Sequence, residues 1–469
     1  MQPLTKLTWN SVTTIIVALF WACSAVKSPA QDLAPRVDPR YFGFDIPLGA
    51  YRAGDGRRVT TADDAGKAVV AKLHVEVGSH RIVLLPDGRL VARRSTDAPL
   101  TERPFVEASK DDLAKQLTAK RFAGFKTKQD VRYLYVYNCS DSFALATSSI
   151  MKSMYRGVEL HAKAQRIDVH SPEVPMVVVM FRTEEQFQRH RRMPEGVVAY
   201  YDPISNHVVM YEESKLAGVD MKLAIQQSLS VIAHEGAHQI LHNIGVQQRL
   251  SVWPMWLAEG LAEYFAPTTT GAKLRWKGAG QVNDMRMHEL EEYLKLAAGN
   301  GLDGKTIEST VIAPRLTSTG YASAWSLTHY LAKNHRASFN KFVNEASKLG
   351  PLEGYLRSAS GSGIKQNLDS FKQFFGDDLK GMEVRLVAHL KKLPYSPPFA
   401  SWPHFVVLIE YLDGKRVQRD GNMFHVKEMA DRWQRATLAN LPKGARATIQ
   451  RLPDRSKADL ILRRWIYGG

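Results

Sequence analysis

The chain has 469 residues, 44% of them apolar and 23% charged. That is an ordinary globular composition, which excludes collagen-like, low-complexity and disordered polymers, and the length suits two or three domains. Lys and Arg outnumber Asp and Glu by 63 to 47, a formal charge of +16 that favours anionic surfaces without specifying a fold. Two cysteines, Cys23 and Cys139, cannot staple a chain this long, so stability rests on a buried core.

In chain order, Lys6 precedes an uncharged run from Ser11 to Val26, followed by the small residues Ser28 and Ala30. This pattern predicts a cleaved secretory signal over residues 1–30 and an exported protein. Its apolar centre is shorter than the ~18–20 residues a spanning helix needs, so no stable membrane span is expected after signal removal. Residues 31–56, rich in Pro, Gly and Asp, predict a linker. Residues 57–130 predict a small β-rich domain. There Leu73, Val75 and Val77 alternate with polar residues, and the runs 81–85 and 89–92 meet across Pro86-Asp87-Gly88. Asp111 to Arg121 reads as a helix within it.

The next domain is expected over 131–392. It opens with a strand at 131–137 and continues with a helix over about 141–163. Two further strands follow, at 176–181 and 207–211, and then helices from Lys222 to Lys392. Cys139 has no adjacent His or Lys to activate it and reads as a strand-end residue. Four prolines between Leu393 and Pro403 mark a boundary at 393–403, and 404–469 predicts a small α+β tail. The expected fold class is α+β.

One stretch carries chemistry: Val231-Ile232-Ala233-His234-Glu235-Gly236-Ala237-His238-Gln239. On a helix, His234 and His238 lie one turn apart and project side by side, so both imidazoles can reach one zinc ion. Chance alone produces such a spacing in roughly one chain of this length in fifty, so context matters. Ile225, Leu229, Ile232, Ala233, Ile240 and Ile244 share one helical face, and the two histidines fall on the other. Gly245 stands where a C-cap would end the helix. A second helix is expected between Pro254 and Pro267, with Glu259 and Glu263 one turn apart on it. Twenty residues lie between His238 and Glu259, enough to return that helix beside the first.

HExxH followed by Trp256-Leu257-Ala258-Glu259-Gly260-Leu261-Ala262-Glu263-Tyr264-Phe265 resembles the gluzincin metallopeptidases, the thermolysin and zinc-aminopeptidase clan. The longer string is similar to a bacterial "peptidase MA-like" family of exported proteins. The resemblance covers roughly Arg132 to Lys348. It implies a zincin-like domain with one zinc ion per chain, held by His234, His238 and Glu259 with a fourth position open to water. It further implies Glu235 as general base, Glu263 as a carboxylate orienting a ligand imidazole, and a donor to the oxyanion. Tyr321, about sixty residues beyond Glu259, is the candidate donor; an aromatic packed in the next helix is the plain alternative. His242 and His329 are lesser candidates, expected to cap helices or decorate their surfaces. In zincin folds a strand lines the cleft and pairs with an extended substrate, a role that falls to 207–211.

The expected function is an exported zinc-dependent peptidase acting through zinc-activated water on a peptide or protein substrate. The alternative is a non-catalytic, zinc-stabilised binding module of the cell envelope, attached to an anionic envelope polymer by its positive charge. Glu235 separates the two, since a structural site prefers four protein ligands and needs no base. A nucleic-acid partner is not expected. The densest basic cluster, Arg189-His190-Arg191-Arg192, lacks interleaved aromatics, and the remaining charge is spread along the chain.

Overall fold

The computed structural model describes residues 36–214, 221–269, 275–296, 301–353 and 362–467, and its fold is α+β. The expected signal over 1–30 and the first residues of the expected linker lie outside the described residues. Among the described residues no helix is long and apolar enough to cross a membrane.

An antiparallel sheet comes first, from β1 (Arg36–Val37), β2 (Gly49–Ala53), β3 (Arg58–Ala62), β4 (Ala68–Val77), β5 (His80–Leu84) and β6 (Leu90–Arg94). Its order is β1-β2-β4-β5-β6, with β3 also paired to β4. The linker expected over 31–56 is therefore corrected for its described part. β2 pairs with β4 through Tyr51, Arg52 and Ala53, and Phe44 and Ile46 are buried. Those two apolar side chains sit among turn-forming residues, which hid them in a composition reading. A second correction concerns Leu73, expected on one face with Val75 and Val77. The pairing of β4 with β5 shifts register between Leu73 and Val75, so the extra residue inverts the alternation. Leu73 joins a cluster with Val59 and Val83, while Val75 and Val77 pack with Ile82 and Leu84.

The central sheet collects α1 (Lys110–Ala119), β7 (Lys126–Gln129), β8 (Tyr133–Tyr137), α2 (Asp141–Ala164), β9 (Met176–Phe181), α3 (Glu184–His190), β10 (Ala199–Asp202) and β11 (His207–Tyr211). Strand order is β10-β11-β9-β8-β7. β8, β9 and β11 run parallel, while β7 and β10 are antiparallel edges. The division at residue 130 is corrected here, because β7 pairs with β8 and Leu113 of α1 packs on Leu134 and Val136. Both faces of the inner strands are covered, as parallel strands require. Tyr133, Tyr135, Met176 and Val178 face one cluster; Leu134, Val136, Val177 and Val179 face the other.

The helical part follows: α4 (Met221–Asn243), α5 (Met255–Phe265), a short ladder of β12 (Thr268–Thr269) and β13 (Arg275–Trp276), then α6 (Asp284–Glu289), α7 (Glu291–Leu296), α8 (Lys305–Ile312), α9 (Ser318–Asn334), α10 (Arg336–Ser347), α11 (Ser362–Phe375) and α12 (Leu379–Leu390). The C-terminal unit comprises β14 (His404–Asp413), β15 (Arg416–Phe424), α13 (Lys427–Leu438), β16 (Arg446–Leu452) and α14 (Arg455–Tyr467). β14 is its central strand, with a small apolar cluster on each face.

One buried side chain joins the first sheet to the site region. Arg249 donates to the carbonyls of Gly88 at 2.8 Å, Pro203 at 2.6 Å and Ile204 at 2.8 Å. Its own carbonyl oxygen lies 2.8 Å from His74 Nε2 on β4. A buried guanidinium is tolerated because its donors are satisfied by fixed backbone acceptors.

Candidate metal centre

α4 is held against the central sheet by Leu229, Ile232, Ala233, Ile240 and Ile244, all within the main core. Ile225, expected on that face, is 39% exposed, because the first turn turns Leu223 and Ala224 inward instead. Inside the motif, a Cβ on Gly236 would lie 2.6 Å from Met151 Sδ, so glycine lets α2 approach α4 at this level. Gln239 pins the next turn by donating to Val177 O at 3.0 Å and Asn206 O at 2.7 Å. Gly245, with φ +84°, adopts the left-handed conformation that closes many helices.

α5 begins after Pro254 and buries Trp256, Leu257, Leu261 and Ala262. Gly260 faces α9 so closely that a Cβ there would meet Thr328 Oγ1 at 2.2 Å and Ala324 O at 2.7 Å. These packing faces turn Glu259 towards α4 and bring the start of α9 to the same place.

Three donor atoms converge. His234 Nε2 and His238 Nε2 are 3.3 Å apart, and Glu259 Oε2 lies 3.2 Å from the first and 3.3 Å from the second. Among the described residues, this is the group whose chemistry could hold a metal ion. Burial alone would raise the Glu259 carboxyl, but the two imidazoles overcome that and hold it well below the usual carboxylate range. Burial likewise opposes a charged His234, yet Glu263, Glu259 and Glu235 together push its pKa well above the ordinary value.

Glu263, 2% exposed, stands behind His234. Its Oε1 is 3.1 Å from His234 Nδ1, within ion-pair reach though off the line of a hydrogen bond. The same carboxylate accepts from Arg286 Nη2 at 2.6 Å and from Asn283 Nδ2 at 2.9 Å. Arg286 in turn reaches both oxygens of Glu289 at 2.9 Å. Neither Asn283 nor Arg286 was expected from the sequence; both sit on the short α6 or its cap, and no spacing rule ties them to α5.

Glu235 points to the edge of the central sheet, where its Oε2 accepts from the Tyr201 backbone N–H at 2.7 Å. Tyr321, in the first turn of α9, is brought to the group: its ring lies 6.0 Å from that of His234, edge-on, and the Arg286 guanidinium lies over it at 5.4 Å. Burial, then the nearby glutamates, raise its hydroxyl pKa.

A family described as "Protein of unknown function (DUF1570)" matches residues 228–353. No curated protein matches the chain. The matched segment runs from the middle of α4 past α10, so it contains every side chain of the group, Arg286 and Tyr321.

Other expectations meet different surroundings. His329 is buried rather than on a helix surface, with Nδ1 2.9 Å from His389 Nε2. His242 stacks on Tyr201, and its Nδ1 lies 3.0 Å from Gln247 O; burial holds it neutral with a pKa of about 3. The strand expected to line a cleft, 207–211, has no open edge for an extended peptide. β11 pairs on both sides, leaving no free backbone edge, whereas β10 is the edge strand beside Glu235. Burial pushes the Cys139 thiol up to about 12, away from the thiolate that nucleophilic attack requires. In the basic cluster, Arg189 pairs with Glu185 at 2.6 Å, Arg191 covers Tyr200, and His190 packs on Phe122 and Phe181.

Proposed function

We propose that this chain is an exported zinc-dependent peptidase of the gluzincin type, with one zinc ion held by His234, His238 and Glu259. The observation that carries the reading is the donor triangle, with edges of 3.2, 3.3 and 3.3 Å. A tetrahedral zinc ion with bonds of ~2.0–2.1 Å to nitrogen and oxygen keeps its ligand atoms about 3.3 Å apart, so the donor set fits in both chemistry and spacing. When bound, the ion would polarise the scissile carbonyl and make water a stronger acid.

The remaining roles belong to the protein's own side chains. Glu235, fixed by the Tyr201 N–H, takes the proton of the attacking water and returns it to the leaving amine. Glu263 orients the His234 ring so that Nε2 faces the other two donors, and Asn283 and Arg286 hold Glu263. Tyr321 donates to the oxyanion that develops on the substrate. On β10 the Tyr201 N–H points away from β11, so by strand alternation Ala199 presents its N–H and C=O at the same free edge. An extended peptide adding to that edge would lie alongside the donor triangle.

The group has three members among the described residues and a carboxylate beside the first histidine, which supports catalysis over a structural role. The test combines metal analysis of the purified chain with turnover of a mixed peptide library by wild type and Glu235→Gln. Zinc in both with hydrolysis only in wild type is the expected outcome. Zinc without hydrolysis in wild type would favour the envelope-binding alternative, and no zinc would remove both.

A further inference from the structure

A cavity of about 320 Å³ opens where α2, α5, α9 and α10 meet, and no member of the donor triangle lines it. Its volume is within the range of small-ligand pockets. Its apolar wall includes the rings of Tyr264 and Phe339, each 4% exposed. Although Tyr264 is buried, its hydroxyl makes no hydrogen bond among the described residues. A Cβ on Gly280 would lie 2.4 Å from that oxygen, so glycine leaves room for the hydroxyl. A buried hydroxyl on a cavity wall takes its partner from whatever fills the cavity.

The charged lining has one sign. Lys333 of α9 and Arg336 of α10 both contribute to it, and no carboxylate does. Neither cation forms an ion pair among the described residues. Arg336 Nε donates to Gln165 Oε1 at 3.1 Å, and Asn340 Nδ2 donates to the same oxygen at 2.6 Å. The guanidinium is thereby oriented by a neutral acceptor, which leaves its charge uncompensated. Arg286 beside the donor triangle differs, because Glu263 and Glu289 neutralise it. His161 completes the polar wall, and its ring nitrogens have no hydrogen-bond partner among the described residues. Burial, then Arg336 and Lys333, lowers its pKa to about 4, so both cations act on this ring.

An arginine fork and a lysine ammonium both match the oxygens of a phosphate or carboxylate. A cationic ligand would be repelled here, and a neutral one would leave both charges unanswered. A bare ion would leave the Tyr264 and Phe339 wall uncovered. We propose that this cavity binds a small organic oxyanion, an apolar body that carries a phosphate or carboxylate head. The proposal stands apart from the peptidase reading, since it uses none of the donor residues.

The experiment titrates the full chain at low salt with phenyl phosphate, benzoate, benzyl alcohol and benzylamine, followed by ligand-observed NMR. Phenyl phosphate or benzoate should bind at least ~10-fold more tightly than the neutral and cationic probes, and the tighter of the two names the head group. Oxyanions also bind zinc, so each titration is repeated with a chelator, and the affinity should not change. Lys333 and Arg336 are exposed, so Lys333→Gln with Arg336→Gln should leave the fold intact and weaken anion binding ~10-fold or more. Tyr264→Phe keeps the ring and removes the hydroxyl, and it should weaken binding ~3–10-fold; this variant decides the matter if the double variant does not fold. Binding that disappears with the chelator, benzyl alcohol binding as tightly as the anions, or variants that bind like wild type would overturn the assignment. So would the absence of binding by either anion. None of these outcomes bears on hydrolysis, so the peptidase reading stands or falls separately.

Discussion

At the scale of single residues, the donor triangle and its support make separable predictions. His238→Ala removes one of three converging donors, so zinc content measured by metal analysis should fall sharply; full occupancy would sink the assignment. Glu235→Gln keeps the size of the side chain and an amide oxygen that can still accept from Tyr201, but no longer a base. Its zinc should be unchanged while hydrolysis drops by about 10²–10⁴-fold. Glu263→Gln should weaken zinc affinity or activity by ~10–100-fold, the usual effect of losing an outer partner, and Glu259→Gln should weaken affinity more. Competition with a graded chelator ranks the two, and an inverted ranking would exchange their roles.

Two glycines at the scale of elements report how tightly the site helices are packed. Both lie in helix interiors, where replacing glycine with alanine gains ~1 kcal/mol of propensity. At Gly236 the added Cβ meets the flexible end of Met151, which can move aside, so Gly236→Ala should be near neutral in denaturant unfolding. At Gly260 it meets the Ala324 carbonyl and Thr328, both set by the backbone of α9. Overpacking of this kind typically destabilises by ~1–3 kcal/mol, so Gly260→Ala should lower stability despite the propensity gain. Because α9 carries Tyr321, that variant should also disturb the site. Equal unfolding midpoints for the two variants would mean that the α5–α9 approach is looser than described.

For the whole molecule, the seam between the helical part and the C-terminal unit is rich in histidine. Glu291 of α7 accepts from Arg455 at 2.8 Å and from the Tyr395 hydroxyl, with His288 Nδ1 at 3.5 Å. His425 stacks on Phe399 at 4.0 Å and lies 5.1 Å from His288, ring to ring. Burial first, then His288 and His404, lower His425 to about 4, and burial also lowers His404. Unfolded histidines take up protons near pH ~6.5, before the folded ones do, so the folded state loses stability as pH falls from about 6.5 towards 4. His425→Phe keeps a ring against Phe399 and removes one titration. It should lose less stability than wild type between pH ~7.5 and ~5, measured by denaturant unfolding followed through tryptophan fluorescence. An identical loss would place the acid sensitivity elsewhere.

What the sequence determined by itself was local. Helical periodicity put His234 and His238 on one face and the apolar residues of α4 on another, and the Pro254 and Pro267 punctuation bounded α5 closely. Strands β9 and β11 were legible as continuous apolar runs, because parallel strands buried on both faces have nothing polar to interrupt them. Everything that depended on which segments meet was left to the tertiary structure. Sheet order made β10 rather than β11 the free edge, and strand pairing drew 49–53 out of an apparent linker. It also brought Arg286 and Asn283 under Glu263 from 20 and more residues away. Such contacts arise from packing and pairing between distant segments, and neither leaves a period or a spacing in the chain for local patterns to reveal.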